Sequence, residues 1–356
     1  MIESHLLILA GFFVASLIFS LLINRFLLKF SKTLGIRDTS QTIIRWSSTS
    51  KPSLGGISFF IIFLLSLVMI SFVQAHDFSF FNLSSLGIVI ATTIGFLLGL
   101  CDDAYNTSPL LKLGAQILCG LILISTGTYI NVFDAAWVNY ALTMLWVVGM
   151  MNSINMLDNM DGIIAVVSIS ILGAILFTML LMSHLGNPLI IIVVGIMASL
   201  IGFLFYNWHP SKMYMGDTGS QLLGVLLAAL GVIFYWNGLG FAGESTPFVR
   251  FISVAIIFAL PLIDTITVTI KRIAKGGSPF VGGKDHTTHH ISYLGLNDRQ
   301  VGIVFVLLSL VSMVITIVIT NYIDQWKQAH TIGFGLYFIV LFAVLFFIAN
   351  LNKSRN

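Results

Sequence analysis

Long apolar runs without a charged residue dominate the chain. No Asp, Glu, Lys or Arg occurs between Asp161 and Lys212, or between Asp217 and Glu244. A helix needs about 20 apolar residues to cross a bilayer. Because these runs are apolar on every side, their lengths and breakers mark the predicted helices better than amphipathic periodicity does. The pattern predicts eleven membrane-spanning helices: Leu6–Phe30, Ile57–Ala75, Leu86–Leu100, Leu113–Ile130, Trp137–Met151, Ile163–Met182, Leu189–Tyr206, Gln221–Trp236, Phe248–Ile270, Val301–Asn321 and Ile332–Leu351.

The composition agrees with this pattern. Of 356 residues, 17 are Lys or Arg and 14 are Asp or Glu, so 9% are charged while 57% are hydrophobic, and the mean hydropathy is +1.00. Soluble domains carry about 25% charged residues. The composition therefore excludes a soluble globular enzyme, a disordered chain and a nucleic-acid-binding protein. We predict an all-α, polytopic integral membrane protein.

The basic residues predict the orientation. When the eleven spans are joined in order, 15 of the 17 Lys and Arg fall on one side, and only Arg250 and Lys327 fall on the other. The positive-inside rule then places the N-terminus outside and the C-terminus in the cytoplasm. Nine of the 14 acids share the basic side. The positive-inside rule concerns only Lys and Arg. The acids on this face therefore indicate that something other than membrane orientation requires carboxylates there.

Polar residues that could carry chemistry are concentrated in four predicted cytoplasmic segments, which lie at about 101–112, 152–162, 207–220 and 271–299. In the second of them, Asn155, Asp158 and Asn159 are spaced so that a helix would place all three on one face. With the basic segment that follows the first span, these segments would form one site in a single catalytic domain covering residues 1–356. The segments of that site are about 31–55, 101–112, 152–162, 207–220 and 271–299.

The residue types in these segments point to phosphoryl transfer. The adjacent carboxylates of Asp102 and Asp103 repel each other, and burial would raise their pKa values further. Mg²⁺ relieves both problems and takes one or two carboxylates together with phosphate oxygens. Asp217 is a predicted Mg²⁺ ligand, since Gly216 and Gly219 beside it would let a phosphate approach the backbone. The basic, His-rich fourth segment would bind anionic phosphates. Catalysis would then consist of positioning and charge neutralisation.

Each segment taken alone has a simpler interpretation. The Asp pair could cap a helix in solvent, the Asn- and Asp-rich segment could be a turn, and His289-His290 could be interfacial polar residues. Asp264, late in the ninth span and three residues after Pro261, is as well explained by a stabilising ion pair as by an active-site role. Their occurrence together on one face of a charge-poor chain favours a functional site.

The motifs resemble, over essentially the whole chain, those of the polyprenyl-phosphate N-acetylhexosamine-1-phosphate transferases. Any one motif is weak, but their order along the chain and their common face strengthen the resemblance. The motifs are Pro52-Ser53-Leu54-Gly55-Gly56, Asp102-Asp103, Asn152-x-x-Asn155-x-x-Asp158-x-x-Asp161-Gly162, Asn207 with Met215-Gly216-Asp217-Thr218-Gly219-Ser220, Pro261 with Asp264, and the His segment 286–290.

The resemblance implies a reaction and a location. N-acetylhexosamine-1-phosphate, with N-acetylglucosamine as the expected sugar, would pass from a UDP-sugar to undecaprenyl phosphate, giving a diphosphate-linked lipid and UMP. Mg²⁺ would be required, with Mn²⁺ as an alternative. The enzyme would work at the cytoplasmic face of the bacterial inner membrane, where it would initiate cell-envelope glycan synthesis. A homodimer is a candidate assembly.

The resemblance also assigns expected roles. Asp102, with Asp103 beside it, would act as base or nucleophile at the reacting phosphates, and Asp217 together with Asp102 would bind the metal. Asp158 and Asp161 would belong to the catalytic nucleotide site. The expected substrate-binding residues are Lys112, Asn152, Asn155, Asn207, Asp264, His286, His289 and His290.

Two alternatives remain at this stage. The muramoyl-pentapeptide branch of the same family usually has three consecutive histidines and ten spans, whereas this chain has His286-Thr287-Thr288-His289-His290 and eleven predicted spans. The spacing favours the N-acetylglucosamine branch but leaves the role of His286 undecided. An ion-coupled transporter is the alternative from another class. A transporter would place its ionisable residues near the bilayer midplane rather than at one face.

Overall fold

The computed structural model describes residues 2–31, 51–73, 82–182, 185–242, 245–277 and 283–351. Most of the predicted segment 31–55, and residues 278–282 of the predicted segment 271–299, lie outside this part of the chain. The helices are α1 Ile2–Ser31, α2 Gly55–Val73, α3 Leu83–Tyr105, α4 Pro109–Ser125, α5 Ala136–Leu157, α6 Ile163–Leu181, α7 Leu189–Asn207, α8 Gly216–Gly231 with a π-helical extension Val232–Trp236, α9 Pro247–Ile257, α10 Ala259–Ala274, α11 Thr287–Tyr293, α12 Asp298–Asn321 and α13 Gln328–Leu351.

The helices confirm the all-α, multi-pass membrane class. Within the described ranges, nine helices are long and apolar enough to cross a membrane, counting α8 with its extension as one. The bent pair α9 and α10 accounts for one more predicted span, and the shorter apolar helix α4 accounts for another. Each of the eleven predicted spans therefore coincides with a helix or a helix pair. The orientation of the termini stays a prediction.

The ninth predicted span, Phe248–Ile270, is not continuous, so its prediction as one helix is wrong. The chain bends by 78° between Ile257 and Ala259. Pro261 accounts for the break because proline has no amide hydrogen and its ring clashes with the carbonyl group four residues earlier, here that of Ile257. As a result, α10 runs in a different direction from α9 and carries Asp264 to the start of α11.

Helix α8 lies at the centre of the bundle. In its spanning window 94% of the residues are buried, compared with 17% in α1 and in α13. It packs against α2, α3 and α5. After Gln221, α8 is apolar on all sides, as is expected of a helix in such an enclosed position. Because Asp217 belongs to the first turn of α8, the central helix places this residue among its neighbours.

Glycines allow the start of α8 to touch α2 and α3 through the backbone. A Cβ atom on Gly99 of α3 would lie 2.1 Å from the carbonyl oxygen of Asp217, and one on Gly56 of α2 would lie 2.2 Å from the amide nitrogen of Gly219. The chain before α2 pairs with the chain before α8, since the Tyr214 amide donates to the Pro52 carbonyl at 2.9 Å. These contacts hold the first turn of α8 in place.

Gly99→Ala is expected to destabilise the protein by about 1–3 kcal/mol. The added methyl group would overlap backbone atoms of Asp217 and Thr218, which cannot move aside as a flexible side chain can. Gly114→Ala is the matched control, since nothing lies within 4 Å of its Cβ position in α4. That control is expected to be neutral or to stabilise by about 0.5–1 kcal/mol. Thermal unfolding in detergent measures both effects. Equal melting temperatures for the two variants would contradict the packing role of Gly99.

Candidate active site

Four predicted site residues meet at one end of the bundle, where α3 and α5 end and α4 and α8 begin. The Lys112 Nζ atom lies 2.5 Å from Asp102 Oδ2 and 3.3 Å from Asp217 Oδ2. The Asn155 side-chain amide donates to Asp217 Oδ1 at 2.9 Å. We call Asp102, Lys112, Asn155 and Asp217 the ion cluster. Its four residues come from four separate helices. They meet at one end of the bundle, as expected from their predicted position on the same face of the membrane.

The short connection between α3 and α4 positions Asp102 and Lys112 opposite each other. Asn106 ends α3 in the left-handed conformation, with φ of 52°, which asparagine tolerates better than most residues. Ser108 then caps α4, with Pro109 at its first position, a favourable start for a helix. Within this turn, the buried carboxylate of Asp102 accepts hydrogen bonds from the Thr107 amide at 2.8 Å and hydroxyl at 2.7 Å.

Asp103 caps the N-terminus of α8. Its Oδ1 atom accepts from the Asp217 amide at 3.2 Å, and its Oδ2 atom accepts from the amide and hydroxyl groups of Thr218 at 2.9 and 2.7 Å. A carboxylate is favourable there because the helix dipole and unpaired amides are positive. Both Asp103 oxygens are thus used to hold α8. These contacts support a role in positioning Asp217.

The glycines beside Asp217 lie close to neighbouring groups of the protein. Gly216 has φ of +74°, and a Cβ atom there would lie 2.4 Å from Asp103 Oδ2. A Cβ atom on Gly219 would lie 3.1 Å from the Cα atom of Gly56. These two glycines make room for the Asp103 cap and for α2, and the approach of a phosphate to the backbone beside them stays a prediction.

Asp158 adds a further carboxyl group close to the ion cluster. It follows the last residue of α5. Burial raises the pKa of the Asp158 carboxyl to about 8, and the negative charges of Asp217, Asp103 and Asp161 act in the same direction. The end of the bundle thus holds several acids, and Lys112 is the basic residue in contact with two of them. A cation would relieve this excess of negative charge.

Asp161 forms a second group of contacts, with side chains that lie in the predicted segments 31–55 and 207–220 but were not among the individual predicted site residues. It accepts from the Ser211 amide at 3.0 Å and hydroxyl at 2.7 Å, and its Oδ2 atom lies 3.1 Å from His209 Nδ1. The Lys51 Nζ atom donates to the Ser211 hydroxyl at 2.8 Å, lies 3.7 Å from Asp161 and sits over the Tyr214 ring. Lys51 lies in the predicted segment 31–55 but has no individually predicted role, although it directly precedes the Pro52–Gly56 motif.

Two predicted substrate-binding amides, Asn152 and Asn207, make their polar contacts within the protein. The buried Asn207 side chain accepts from the Gly162 amide at 3.0 Å and donates to the Met213 carbonyl at 2.9 Å, so it joins two loops. Asn152 donates to the Gln116 side chain and to the Val148 carbonyl, each at 2.8 Å. These contacts support positioning roles.

Asp264 and His286 form a buried pair at the start of α11. His286 Nδ1 lies 2.8 Å from Asp264 Oδ2, while Asp264 Oδ1 accepts from the Thr287 amide and hydroxyl groups, each at 2.7 Å. Asp264 thus caps α11 and orients His286 at the same time. Of the two interpretations of Asp264 that the sequence left open, these contacts favour a stabilising pair inside the site. They also assign a partner to His286.

The other two histidines of the segment are neutral at physiological pH. Burial, followed by the charge of His286, lowers the pKa of His289 to about 3, and burial and the Lys271 charge lower that of His290 to about 4. The Lys271 ammonium group lies 2.7 Å from His290 Nε2. His289 and His290 therefore offer hydrogen bonds rather than positive charge to an anion.

The loop between α5 and α6 connects these groups. Asn159 accepts a hydrogen bond from the Thr288 hydroxyl at 2.6 Å, which ties the loop to the His segment. Asp158 lies toward the ion cluster, and Asp161 toward Ser211. The predicted residues of all four segments are thus brought to one end of the bundle, but in neighbouring groups rather than around a single point.

Sequence comparison finds related proteins over most of the chain. The sequence model of Glycosyl transferase family 4 matches residues 85–235. A probable undecaprenyl-phosphate N-acetylglucosaminyl 1-phosphate transferase of Bacillus subtilis (strain 168) is 30% identical over 306 residues, covering 83% of this chain and 78% of the relative.

Two other relatives also align over most of this chain. The decaprenyl-phosphate N-acetylglucosaminephosphotransferase of Mycobacterium leprae (strain TN) is 27% identical, with 71% of this chain and 69% of the relative aligned. The phospho-N-acetylmuramoyl-pentapeptide-transferase of Carboxydothermus hydrogenoformans is 28% identical, with 74% and 83% aligned. The extent of these matches, together with the order of the motifs, shows that the chain belongs to glycosyl transferase family 4, the polyprenyl-phosphate N-acetylhexosamine-1-phosphate transferases.

Proposed function

We propose that the protein transfers N-acetylglucosamine-1-phosphate from UDP-N-acetylglucosamine to undecaprenyl phosphate. An oxygen of the lipid phosphate would attack the phosphorus that carries the sugar, and the bond from that phosphorus to the bridging oxygen would break. The products are the diphosphate-linked lipid and UMP. The observation that carries this proposal is the ion cluster, which brings two carboxylates, an ammonium group and an amide from four helices to one end of the bundle.

The donor is proposed from the relatives and the His segment. The Bacillus and Mycobacterium relatives carry N-acetylglucosamine in their names, and the spaced pattern His286-Thr287-Thr288-His289-His290 differs from three consecutive histidines. The muramoyl-pentapeptide reaction is the second candidate, because a relative with that name aligns over a similar share of the chain.

A divalent metal, with Mg²⁺ preferred and Mn²⁺ as the alternative, fits the donor set. Asp217 and Asp102 would hold it, since both present carboxylate oxygens to the same point, at which Lys112 now lies. No three His, Cys, Asp or Glu side chains converge as a metal site within the described ranges. This suits Mg²⁺, which takes one or two carboxylates and completes its shell with phosphate oxygens and water. When bound, the metal would neutralise charge on the reacting phosphates.

The contacts of Asp102 support a one-step transfer. One of its oxygens already accepts two hydrogen bonds from Thr107, and the other is paired with Lys112. A phosphate monoester has a second pKa of about 6 and is largely ionised at neutral pH. The lipid phosphate therefore needs no strong base, and Asp102 would orient Lys112 and the metal. Asp158 and Asp161 would lie on the nucleotide side, with His289 and His290 donating hydrogen bonds to the diphosphate.

The setting of the reaction is also part of the proposal. With the N-terminus outside and the C-terminus inside, as predicted, the ion cluster would face the cytoplasm, and the proposed membrane is the bacterial inner membrane. Both substrates could reach this end of the bundle, the nucleotide from the aqueous phase and the lipid phosphate from the bilayer surface. A homodimer is the proposed assembly.

A donor panel tests the function. Purified protein in detergent, given Mg²⁺ and undecaprenyl phosphate, is expected to release UMP from UDP-N-acetylglucosamine and not from UDP-N-acetylmuramoyl-pentapeptide. Chelation of the metal is expected to stop the release, and Mg²⁺ to restore it. Omission of the lipid is the control for simple hydrolysis. UMP release from the pentapeptide donor alone would replace the proposal with the second candidate, and transport of the UDP-sugar into vesicles without any UMP would refute both.

A further inference from the structure

A layer of three side-chain amides lies directly beneath the ion cluster. Gln116 Nε2 donates to Asn152 Oδ1 and to Gln221 Oε1, each at 3.3 Å, while Asn152 Nδ2 donates back to Gln116 Oε1 at 2.8 Å. Gln116 and Gln221 are 1% and 2% exposed. We call Gln116, Asn152 and Gln221 the amide layer. Its members come from α4, α5 and α8.

The amide layer repeats the ion cluster one helical turn deeper in the bundle. Lys112 and Gln116 are four residues apart on α4, Asp217 and Gln221 are four apart on α8, and Asn155 and Asn152 are three apart on α5. Spacings of three and four place side chains on the same helical face, one turn or about 5.4 Å apart. Since α4 and α8 begin at the site and α5 ends there, all three amides lie on the inner side.

Packing alone does not require this arrangement. Apolar side chains would fill the same space between membrane helices without polar groups to satisfy, and buried amides are costly unless each is hydrogen-bonded. The Gln116 amide meets this requirement, because both of its donor directions and its acceptor are used across helix boundaries. Sliding or rotating one helix against the others would break these bonds. The layer therefore specifies the axial register of α4, α5 and α8.

We propose that Gln116, Asn152 and Gln221 are positioning residues that hold Lys112, Asn155 and Asp217 in the geometry needed for phosphoryl transfer. The proposal deepens the proposed function and rests on it. The amides do not touch the reacting groups. They act by keeping the Lys112 ammonium within reach of Asp217 Oδ2, now at 3.3 Å, and the Asn155 amide at the other oxygen of the same carboxylate.

Gln116→Leu is the first test, because leucine has a similar size but cannot bond Asn152 or Gln221. The kcat for UMP release is expected to fall about 10- to 100-fold, since misplacement of catalytic groups by about 1 Å can cost that much. The KM for the UDP-sugar is expected to stay near the wild-type value, because the Asp161 group lies on other segments.

A labelling experiment tests the same inference without turnover. Lys112 is acetylated with a limiting amount of an amine-reactive acetylating reagent, and peptide mass spectrometry measures the extent of labelling. The rate of labelling reports how firmly the Lys112 ammonium group is held. Labelling of Lys112 is expected to be several-fold faster in Gln116→Leu than in the wild type. This measurement needs no substrate. If the protein releases no UMP, the proposed function is refuted, but the labelling still decides whether the amide layer positions Lys112.

Asn139→Leu is the matched control. Asn139 is another buried amide of α5, bonded to residues 131–133 at the opposite end of the helix, about 20 Å from Asn152. It is expected to lose stability without a change in Lys112 labelling or kcat. If Gln116→Leu does not fold, Gln221→Leu, which removes one acceptor only, takes its place with a smaller expected change in the same direction.

A double variant completes the test. If the amides act as one unit, Gln116→Leu with Asn152→Leu is expected to lose no more kcat than the single Gln116→Leu variant. The proposal would be overturned if the loss of kcat in the double variant equalled the product of the two single losses. It would also be overturned by unchanged Lys112 labelling in Gln116→Leu, or by an equal rise of labelling in Asn139→Leu. The last result would show general loosening of the bundle rather than loss of register.

Discussion

Asp217→Asn is expected to lower the rate of UMP release by about 10²- to 10³-fold, the usual effect of removing one group that stabilises transition-state charge. Asparagine has the size of aspartate and keeps an oxygen for the Asn155 amide. The atom facing Lys112 would become an NH₂ group, which cannot accept from an ammonium group. The site would then lose both a metal ligand and the partner of Lys112. The Mg²⁺ concentration for half-maximal activity is expected to rise.

The control for this variant is Asp324→Asn, an exposed carboxylate in the connection between α12 and α13. It loses the same charge outside the ion cluster and is expected to keep wild-type activity. The comparison uses equal amounts of folded protein, as judged by gel filtration and thermal unfolding. Wild-type UMP release by a folded Asp217→Asn protein would remove Asp217 from the proposed metal site.

Lys112→Met is expected to lower kcat by about 10²-fold but to shift the Mg²⁺ requirement in the opposite direction. Methionine has a similar length and no charge, so Asp102 and Asp217 would lose the ammonium group they share. A metal ion would no longer compete with that group for the same oxygens. Half-maximal activity is therefore expected at a lower Mg²⁺ concentration than in the wild type.

Lys327→Met, at an exposed position just before α13, is the matched control and is expected to change neither quantity. A Mg²⁺ titration of UMP release measures both parameters in one experiment. A higher Mg²⁺ requirement in Lys112→Met would contradict the shared use of the carboxylate oxygens. It would place the metal away from the position at which Lys112 now lies.

The convergence of the predicted segments could be inferred from the sequence because charge is scarce in this chain. Lys112 and Asp217 are 105 positions apart, yet their side chains are in contact. The prediction needed only the number of spans and the side on which each loop falls. In a soluble protein, where charges are spread over the whole surface, the same carboxylates would not have stood out.

Several contacts could not be inferred, because they depend on how the helices face one another. Gln116 and Gln221 lie within helices that the sequence marks only as apolar spans, although their four-residue spacing from Lys112 and Asp217 is a signal that could have been used. The Asp264–His286 pair depends on the bend after α9. Pro261 indicates that break, but neither the bend angle nor the new neighbours of α10 follow from one residue.

The glycine contacts among α2, α3 and α8 have a consequence for motion. Where backbone meets backbone without intervening side chains, no rotamer change can absorb a small displacement, so the contact is either kept or lost as a whole. We therefore expect α2, α3 and the first turn of α8 to move as one rigid body during a reaction cycle. Any displacement that admits a lipid phosphate would then fall to α10 and α11, of which α11 contacts the α5–α6 loop through Thr288 and Asn159.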